Sequence, residues 1–119
     1  MVEKEIKKFP QSNSKIEIKP FLRKGHANNL PFQDNFFDLV ISINTLHNLE
    51  IFDLVKAIKE INRVTSGNSY ICVESYRNEL EKMNLLYWQV TCESFFNNSE
   101  WEWILKSNNY NGEYSFIYF

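Results

Sequence analysis

Glycine is scarce in this sequence, with three residues among 119. Turns that bring the backbone close to a nucleotide need several glycines within a few positions, whereas Gly25, Gly67 and Gly112 stand alone. The chain also lacks an excess of one charge, since 13 Lys and Arg oppose 15 Asp and Glu. Without a basic field, neither nucleic acid nor an anionic membrane surface is predicted as a partner.

Cysteine and long apolar runs are rare as well. Cys72 and Cys92 do not form a CxxC pair, which favours a reduced, cytoplasmic chain with Cys72 in the core. No metal-ligand spacing connects these cysteines with His26 or His47, so no metal site is predicted. No apolar run reaches membrane-spanning length, and the start MVEKEIKKF lacks the apolar centre of a secretory signal.

The composition that remains is globular, with 44% hydrophobic and 16% aromatic residues over a length suited to one domain. The run FDLVISI, residues 37–43, is apolar on both alternations and predicts a strand covered on both faces. Apolar positions recur at three- and four-residue spacing over 50–64, which predicts an amphipathic helix. The following TSGNS predicts its end, with Gly67 in a left-handed cap. SYICVES, residues 69–75, predicts a second buried strand, parallel and adjacent to the first in a βαβ unit.

The rest of the chain supplies further elements of an α/β fold. ELEKMNLLYW, residues 79–88, predicts a helix, and Ser99 with Glu102 predicts a capping box that opens another through WEWILK. EYSFIYF, residues 113–119, alternates like a terminal strand, and PFLRKG, residues 20–25, is a candidate strand. The predicted fold class is α/β, with a mostly parallel sheet and flanking helices.

Polar side chains follow both buried strands. Asn44, Thr45 and His47 come after the first strand, and residues 74–77 come after the second. Ligands of open α/β sheets bind beyond the carboxyl ends of the strands, so this edge is the predicted site. His47 is a candidate general base there, because an unperturbed imidazole titrates close to neutral pH. We predict that it lies partly exposed near the groups after Val73; the alternative is a histidine that only packs or caps.

The ordered set GHANNLPFQDNFFDLVISINTLHNLE, a helix ending in EINRV and the strand SYICVES resembles the central part of a class I S-adenosylmethionine-dependent methyltransferase. It is most similar to the group that carries a G-D/N-A-x-x-L-P-F segment, then F-D-L-V and a leucine-histidine pair. The resemblance implies a Rossmann-like sheet, S-adenosylmethionine as cofactor and a small-molecule methyl acceptor. Such a transfer is an in-line displacement in which the protein mainly positions and desolvates the reactants.

The resemblance also implies roles for individual residues. Ala27 matches the residue whose backbone N–H meets the adenine ring. His26 stands where the family usually has an acidic or amide side chain that accepts from the adenine amino group, and a neutral imidazole offers one acceptor nitrogen. The other implied site residues are Leu30, Pro31 and Phe32 beside the cofactor, Ile43 and Asn44 beside its methionine part, His47 at the active-site mouth, and Tyr76, Arg77 and Trp88 as substrate-binding candidates. For Arg77, pairing at the surface is the alternative.

The family's main cofactor determinant is missing upstream of Gly25. It is a glycine-rich turn, roughly acidic-x-G-x-G-x-G, followed by a strand whose terminal acidic residue takes the ribose hydroxyls. Residues 20–119 are therefore predicted to be the carboxyl-terminal part of a methyltransferase domain, and residues 1–19 are unmatched. The expected fold is a partial Rossmann-like fold without the family's first two strands. The edge of strand 37–43 would be bare unless residues 20–25 or a second chain pair with it.

Three interpretations of function remain open at this point. The chain is a truncated methyltransferase, a fragment whose binding of S-adenosylmethionine alone is weak or absent. Alternatively it is one half of a split enzyme, completed by a separate amino-terminal half that carries the glycine turn. The third interpretation is a non-catalytic half-domain, whose sheet edge is covered in a homo-oligomer or by another partner.

Overall fold

The computed structural model describes residues 22–119 of the chain. Within this range a three-stranded sheet has the order β1-β2-β3, and both pairings are parallel. The strands are β1 (Phe37–Ile43), β2 (Thr65–Glu74) and β3 (Glu113–Ile117). The helices are α1 (Ile51–Val64), α2 (Glu79–Trp88) and α3 (Asn98–Ser107), with a 3₁₀ turn at Leu46–Asn48. None of these helices is long and apolar enough to cross a membrane.

The helix α1 connects β1 to β2, as the strand–helix–strand pattern predicts. Its three- and four-residue spacing places Leu54, Ile58 and Ile61 on one buried face. β1 and β2 pair in parallel, with Ile43 opposite Cys72. The prediction of two adjacent parallel strands joined by this helix is confirmed, and so is the α/β fold class.

The core lies on the side of the sheet that α1 and α3 cover. Ile71 and Val73 of β2 are fully buried there, together with Trp101 of α3. The remaining buried members of this cluster are Leu46, Leu54, Ala57, Ile58, Ile61, Ile104 and Leu105. Each large apolar side chain removed from water contributes about 1.5–3 kcal/mol, so this single cluster is the main source of cohesion in the described chain.

β1 is apolar on both faces, but only one of them packs against the core, where its residues are half-buried. Leu39, Ile41 and Ile43 are 57%, 56% and 54% exposed, whereas Val40 packs against the core. The prediction that both faces are covered is therefore wrong. Because α1 and α3 lie on the same side as Val40, no element among residues 22–119 shields the opposite face of β1.

The segment before the loop does not add a strand. Residues 22–25 have no strand structure, and β1 pairs only with β2 among the described residues. The candidate strand 20–25 is therefore wrong over 22–25, while 20 and 21 lie outside the described residues. The unmatched segment 1–19 also lies outside them. Coverage of the β1 edge by a second chain stays a prediction.

The helix α3 begins two residues earlier than the predicted capping box places it. Asn97 is the N-cap, and its side chain accepts from the backbone N–H of Glu100 at 2.9 Å. Glu100 Oε1 accepts in return from the backbone N–H of Asn97 at 3.0 Å. The Ser99–Glu102 pair has the same spacing, but Ser99 lies inside the helix, where it caps nothing.

Gly67 does not cap α1. No glycine among the described residues has a positive φ, and β2 begins at Thr65, directly after the helix. A Cβ atom on Gly67 would lie 2.4 Å from the carbonyl oxygen of Asp38. Glycine is required here because the two backbones approach closely, so the left-handed cap predicted for this residue is wrong.

A Gly67→Ala variant is expected to lose about 1–3 kcal/mol of unfolding free energy, since the methyl group must displace the Asp38 backbone. The matched control is Gly25→Ala, where the nearest atom to the new Cβ is Pro31 Cδ at an ordinary 3.7 Å. The control should stay within about 0.5 kcal/mol of the wild type. Urea unfolding of both variants tests this, and equal midpoints would contradict the steric argument.

Candidate active site

His47 lies at the carboxyl edge of the sheet, next to the last residue of β2. Its Nδ1 accepts from the backbone N–H of Glu74 at 3.5 Å, and its Nε2 lies 3.2 Å from Glu74 Oε2. The predicted position is confirmed. The predicted partial exposure is wrong, because His47 is only 1% exposed. The segment 93–94 lies across it, and the His47 carbonyl accepts from the N–H groups of Glu93 and Ser94 at 3.0 and 2.9 Å.

Glu74 is the buried partner of this histidine. Its Oε1 accepts from Gln89 Nε2 at 2.8 Å, and its carbonyl accepts from the indole N–H of Trp101 at 3.2 Å. Its Oε2 has no hydrogen-bond partner, because His47 Nε2 lies close to it without the alignment that a hydrogen bond needs. Burial raises the pKa of Glu74, and it lowers the pKa of His47.

The hydrogen bond at Nδ1 leaves His47 without a free basic nitrogen. Because Nδ1 accepts from the Glu74 backbone, the neutral imidazole carries its proton on Nε2, which lies 3.2 Å from Glu74 Oε2 without forming a hydrogen bond. Both nitrogens therefore face protein atoms. In this arrangement His47 connects the 3₁₀ turn after β1 to the end of β2.

Acidification should weaken the wild-type protein more than a His47→Gln variant. The lowered pKa means that the unfolded state binds the proton of this histidine first, so the stability it contributes is lost as pH falls below 6.5, its ordinary value. The raised pKa of Glu74 has the opposite effect on stability. Its contribution to the free energy of unfolding is lost as pH rises above 4.5, the ordinary pKa of a glutamate. The contribution of His47 is therefore measured as the difference between the unfolding free energies of the wild type and the His47→Gln variant.

The measurement is urea unfolding at three pH values from about 7.5 down to about 5.5, a range that contains 6.5, the ordinary pKa of histidine. The stability difference between wild type and His47→Gln should shrink steadily on acidification. His26→Gln, which removes an exposed imidazole, serves as the control and should follow the wild type. Parallel curves for wild type and His47→Gln would contradict the predicted linkage.

The start of the loop before β1 lies at the same edge of the sheet as His47. His26 Nδ1 accepts from the backbone N–H of Asn28 at 3.1 Å, and Asn28 Nδ2 donates to Asp53 Oδ1 at 2.9 Å. Asp53 is in the first turn of α1, which follows the carboxyl end of β1. Ala27, which lies between His26 and Asn28 in the sequence, packs against the core. With Nδ1 occupied, the neutral His26 carries its proton on Nε2 and presents a donor, not the acceptor that the resemblance implies.

Leu30, Pro31 and Phe32 lie at the other end of α1. The N–H of Leu30 donates to Glu60 Oε2 at 2.7 Å, and Arg63 donates to the carbonyls of Leu30 and Phe32 at 2.9 and 2.7 Å. The Phe32 ring contacts Phe37, the first residue of β1, with centroids 4.8 Å apart. The structure thus separates these three predicted cofactor residues from His26 and Ala27.

The network that holds this loop was not anticipated from the sequence. Arg63 also donates to Asp34 at 2.9 Å and twice to Glu60, and its hydrogen bond lowers the pKa of Glu60. An acidic and a basic residue three positions apart on a helix predict only a surface ion pair. The loop carbonyls that Arg63 binds are distant in sequence and carry no side-chain signal.

At the end of β1 the chain turns sharply. Asn44 has a φ of 53°, a left-handed conformation that asparagine tolerates better than most residues. Its N–H donates to the carbonyl of Cys72 at 2.9 Å, and Thr45 Oγ1 donates to the carbonyl of Ile43 at 3.0 Å. The side chains of Ile43 and Asn44 are exposed, so this turn is open to solvent.

The predicted substrate residues are engaged to different degrees. Arg77 forms a two-pronged pair with Glu81 and lies over the Tyr118 ring at 3.9 Å, which fits the alternative of surface pairing. Tyr76 lies against Phe95, with centroids 5.8 Å apart. Trp88, at the end of α2, is 68% exposed.

The two cysteines are free thiols. Cys72 is 6% exposed, which confirms its place in the protein interior. Burial raises the pKa of the Cys92 thiol to about 11, and this disfavours the reactive thiolate. Among residues 22–119 there is no group of three or more His, Cys, Asp or Glu side chains arranged to hold a metal ion.

Comparison with known proteins adds three similarities. The family described as a methyltransferase domain matches residues 1–73. The uncharacterized protein YafE of Escherichia coli K12 is 39% identical over 51 residues, which are 43% of this chain and 24% of that protein. A demethylmenaquinone methyltransferase of Lactiplantibacillus plantarum is 38% identical over 65 residues, 54% of this chain and 27% of that enzyme. The chain therefore spans about a quarter of the length of these curated relatives.

The family match overlaps the part of the structure that forms the candidate site. It includes β1, α1 and β2 up to Val73, as well as the loop at His26. It also reaches into segment 1–19, which the residues alone left unmatched, and it ends before segment 74–119. With the parallel βαβ unit and its polar carboxyl edge, this match shows that the chain belongs to the methyltransferase domain family and is a class I S-adenosylmethionine-dependent methyltransferase-like domain.

Proposed function

We propose that the chain forms one side of an S-adenosylmethionine site and takes part in methyl transfer to a small-molecule acceptor. The observation that carries the proposal is the Asn28–Asp53 hydrogen bond of 2.9 Å, which ties the loop at His26 to the first turn of α1. This brings the loop to the same edge of the sheet as the open turn at Asn44. The cofactor supplies an activated methyl group, so positioning and exclusion of water are the main tasks of the protein.

The residues present fit the adenine and methionine ends of the cofactor. The backbone of Ala27 would meet the adenine ring, and His26 Nε2–H would donate to a ring nitrogen of the base. Ile43 and Asn44 would border the methionine part with their exposed side chains. Segment 30–32 acts indirectly in this proposal, because Glu60 and Arg63 hold it at the far end of α1.

His47 is assigned a positioning role. A general base must reach the acceptor with a free nitrogen, and both nitrogens of His47 face Glu74. The histidine instead holds the turn at residues 44–48 against the end of β2. Transfer of the acceptor proton to His47 would require this contact to open.

A small organic acceptor is favoured by two observations. One relative is named as a demethylmenaquinone methyltransferase, a name that gives a quinone as its acceptor. In this chain the exposed Trp88 ring and the Tyr76 ring follow β2, on the carboxyl side of the sheet. Aromatic faces of this kind line pockets for flat organic ligands.

Two-dimensional NMR of the labelled chain tests the placement of the cofactor. Adenosine should shift amide signals of residues 26–29, methionine should shift those of 43–47, and S-adenosylhomocysteine should shift both groups. Amides at the opposite edge, residues 65–69 and 111–113, serve as the internal control and should not move. Shifts confined to the control residues, or none at all at high ligand concentration, would overturn the proposed site.

A second candidate function is supported by the open face of β1. Leu39, Ile41 and Ile43 are more than half exposed, and among residues 22–119 the strand pairs on one side only. A complementing amino-terminal half with the glycine turn would cover this strand and complete a split enzyme. A non-catalytic half-domain would use the same strand to bind or dimerise. If a glycine-bearing amino-terminal half is added and methyl transfer appears, the chain is part of a split enzyme; if it does not, the non-catalytic half-domain is favoured.

A further inference from the structure

Glu74 is a buried carboxyl group that has no role in the cofactor site proposed for this chain. It is 4% exposed and is the last residue of β2. Its Oε1 accepts from Gln89 Nε2 at 2.8 Å, whereas its Oε2 is buried without a hydrogen-bond partner. A buried acceptor without a donor is costly and calls for a physical explanation, of which a catalytic role is one. Oε2 therefore has unused capacity to accept a hydrogen bond or a proton.

The register of the sheet places Glu74 beside the proposed methionine end of the cofactor. Ile43 is paired with Cys72, and adjacent strands lie about 4.8 Å apart. Glu74 is two residues, about 7 Å, further along β2, and its side chain points to the same face of the sheet as those of Cys72 and Ile43. It is also the one acidic residue within three positions of the carboxyl end of β1 or β2.

A route from solvent to Glu74 passes through the side chain of Gln89. This side chain is half-buried, and it follows the last residue of α2 in a stretch that is neither helix nor strand. Its one side-chain hydrogen bond among the described residues is the bond to Glu74. Breaking that bond lets the amide swing away from the carboxyl group. An N–H donor at this position stands where the O–H group of a substrate would donate to the same oxygen.

We propose that Glu74 is the general base of the methyl transfer, and that the amide of Gln89 occupies the place of the acceptor's hydroxyl group until the acceptor binds. The inference rests on the proposed function, and it narrows the acceptor to a neutral organic molecule that carries a hydroxyl group. The hydroxyl oxygen forms its bond to the methyl carbon as the bond from that carbon to sulfur breaks, with the electron pair left on sulfur. The proton of the hydroxyl group passes to Glu74.

The electrostatic surroundings of Glu74 suit this role. The titratable groups that face it are His47 of the 3₁₀ turn and Cys92 of the segment after α2. Burial lowers the pKa of His47 and raises the pKa of the Cys92 thiol to about 11, so both are neutral at about pH 8. With no cation beside it, the buried carboxylate is stabilised by accepting a proton, and burial accordingly raises the pKa of Glu74. A carboxylate of this kind is a stronger base than an exposed one.

Two-dimensional NMR of the labelled 119-residue chain at about pH 8 provides the test, with α-naphthol and its methyl ether as probes. Both probes carry the same fused ring, but only α-naphthol has a hydroxyl proton to donate. It should shift the side-chain amide signal of Gln89 and the backbone amide signal of Glu74. It should also bind at least about tenfold more tightly than the ether, because hydrogen bonds to charged groups are the strong ones. Glu74→Gln should reduce this preference to less than about threefold.

A second variant removes the amide that competes with the probe. Gln89→Ala should bind α-naphthol about threefold to tenfold more tightly than the wild type, since no hydrogen bond has to break first. Thr91→Ala is the matched control, because it removes a hydrogen bond of the same segment, from Thr91 Oγ1 to Asn48 Oδ1 at 3.3 Å, that does not reach Glu74. The control should bind like the wild type. This comparison does not depend on whether Glu74→Gln folds.

Two results would overturn the assignment of Glu74 as the base. One is equal affinity of the wild type for the two probes. The other is the lack of any shift at Glu74 and Gln89 with α-naphthol, in the wild type and in Gln89→Ala alike. Neither probe contains adenosine or methionine, so the outcome is separate from the cofactor test at residues 26–29 and 43–47. A chain that binds the cofactor fragments without preferring α-naphthol keeps the proposed function and loses this base.

Discussion

A Trp101→Ala variant is expected to lose about 3–5 kcal/mol of unfolding free energy, the largest effect of any single substitution considered. Trp101 is 0% exposed, and its ring meets Phe96 edge-on with centroids 5.2 Å apart. Its indole N–H also donates to the carbonyl of Glu74, so the truncation leaves both a cavity and an unpaired buried oxygen. Domains of this size are stable by only about 5–15 kcal/mol, so a large part of the protein should be unfolded under mild denaturation.

Two control variants separate the contributions of Trp101. Trp101→Phe keeps most of the packing and loses the hydrogen bond, so it should cost about 1 kcal/mol beyond any loss of volume. Trp103→Ala removes an indole that is 70% exposed and should stay within about 0.5 kcal/mol of the wild type. Urea unfolding followed by circular dichroism measures all three. A small effect of Trp101→Ala would show that α3 is not an integral part of the core.

The second large effect concerns affinity for the cofactor. The chain alone is expected to bind S-adenosylmethionine no better than roughly millimolar, which corresponds to about 4 kcal/mol. In the proposed site, the loop at His26 and the turn at Asn44 contact the two ends of the cofactor, but the sequence carries no glycine-rich turn to complete it. Binding must also offset the loss of translational and rotational freedom, a cost of about 4 kcal/mol or more, which half a site barely exceeds.

Titration calorimetry on the purified chain and on its mixture with a glycine-bearing amino-terminal half measures this difference. Addition of the complementary half should raise the affinity to about micromolar, a thousandfold gain. The control is the complementary half alone, which should bind no more tightly than the chain alone. A micromolar site on the isolated chain, with one cofactor bound per chain, would show that residues 1–119 form a sufficient pocket by themselves.

The βαβ unit could be predicted from the sequence because its signals are local. Residues 37–43 and 69–75 are continuous apolar runs, and 50–64 has helical periodicity, so short-range patterns specify the order strand, helix, strand. Parallel pairing follows, because a single helical crossover returns the chain in the same direction. The carboxyl edge as the place of His47 and Glu74 follows from that topology.

The start of α3 could not be predicted with the same certainty. Asn97–Glu100 and Ser99–Glu102 both have the spacing of a capping box, and each would begin a helix two residues apart. In the structure the Asn97–Glu100 pair forms both hydrogen bonds of the box. Trp101, Ile104 and Leu105 lie inside the helix from either start, so the pattern of buried residues does not distinguish the two local signals.

By itself, the sequence determined the family, the α/β class and the edge of the sheet where polar groups collect. Only the tertiary structure decided which face of β1 is buried, that Gly67 permits close backbone contact, and that both nitrogens of His47 face Glu74. It also decided that Arg63 holds the loop at Leu30 and Phe32 through their carbonyl groups. The physical reason is the same in each case: burial and hydrogen bonding join atoms far apart along the chain, and no local pattern of side chains encodes which distant backbone groups will meet.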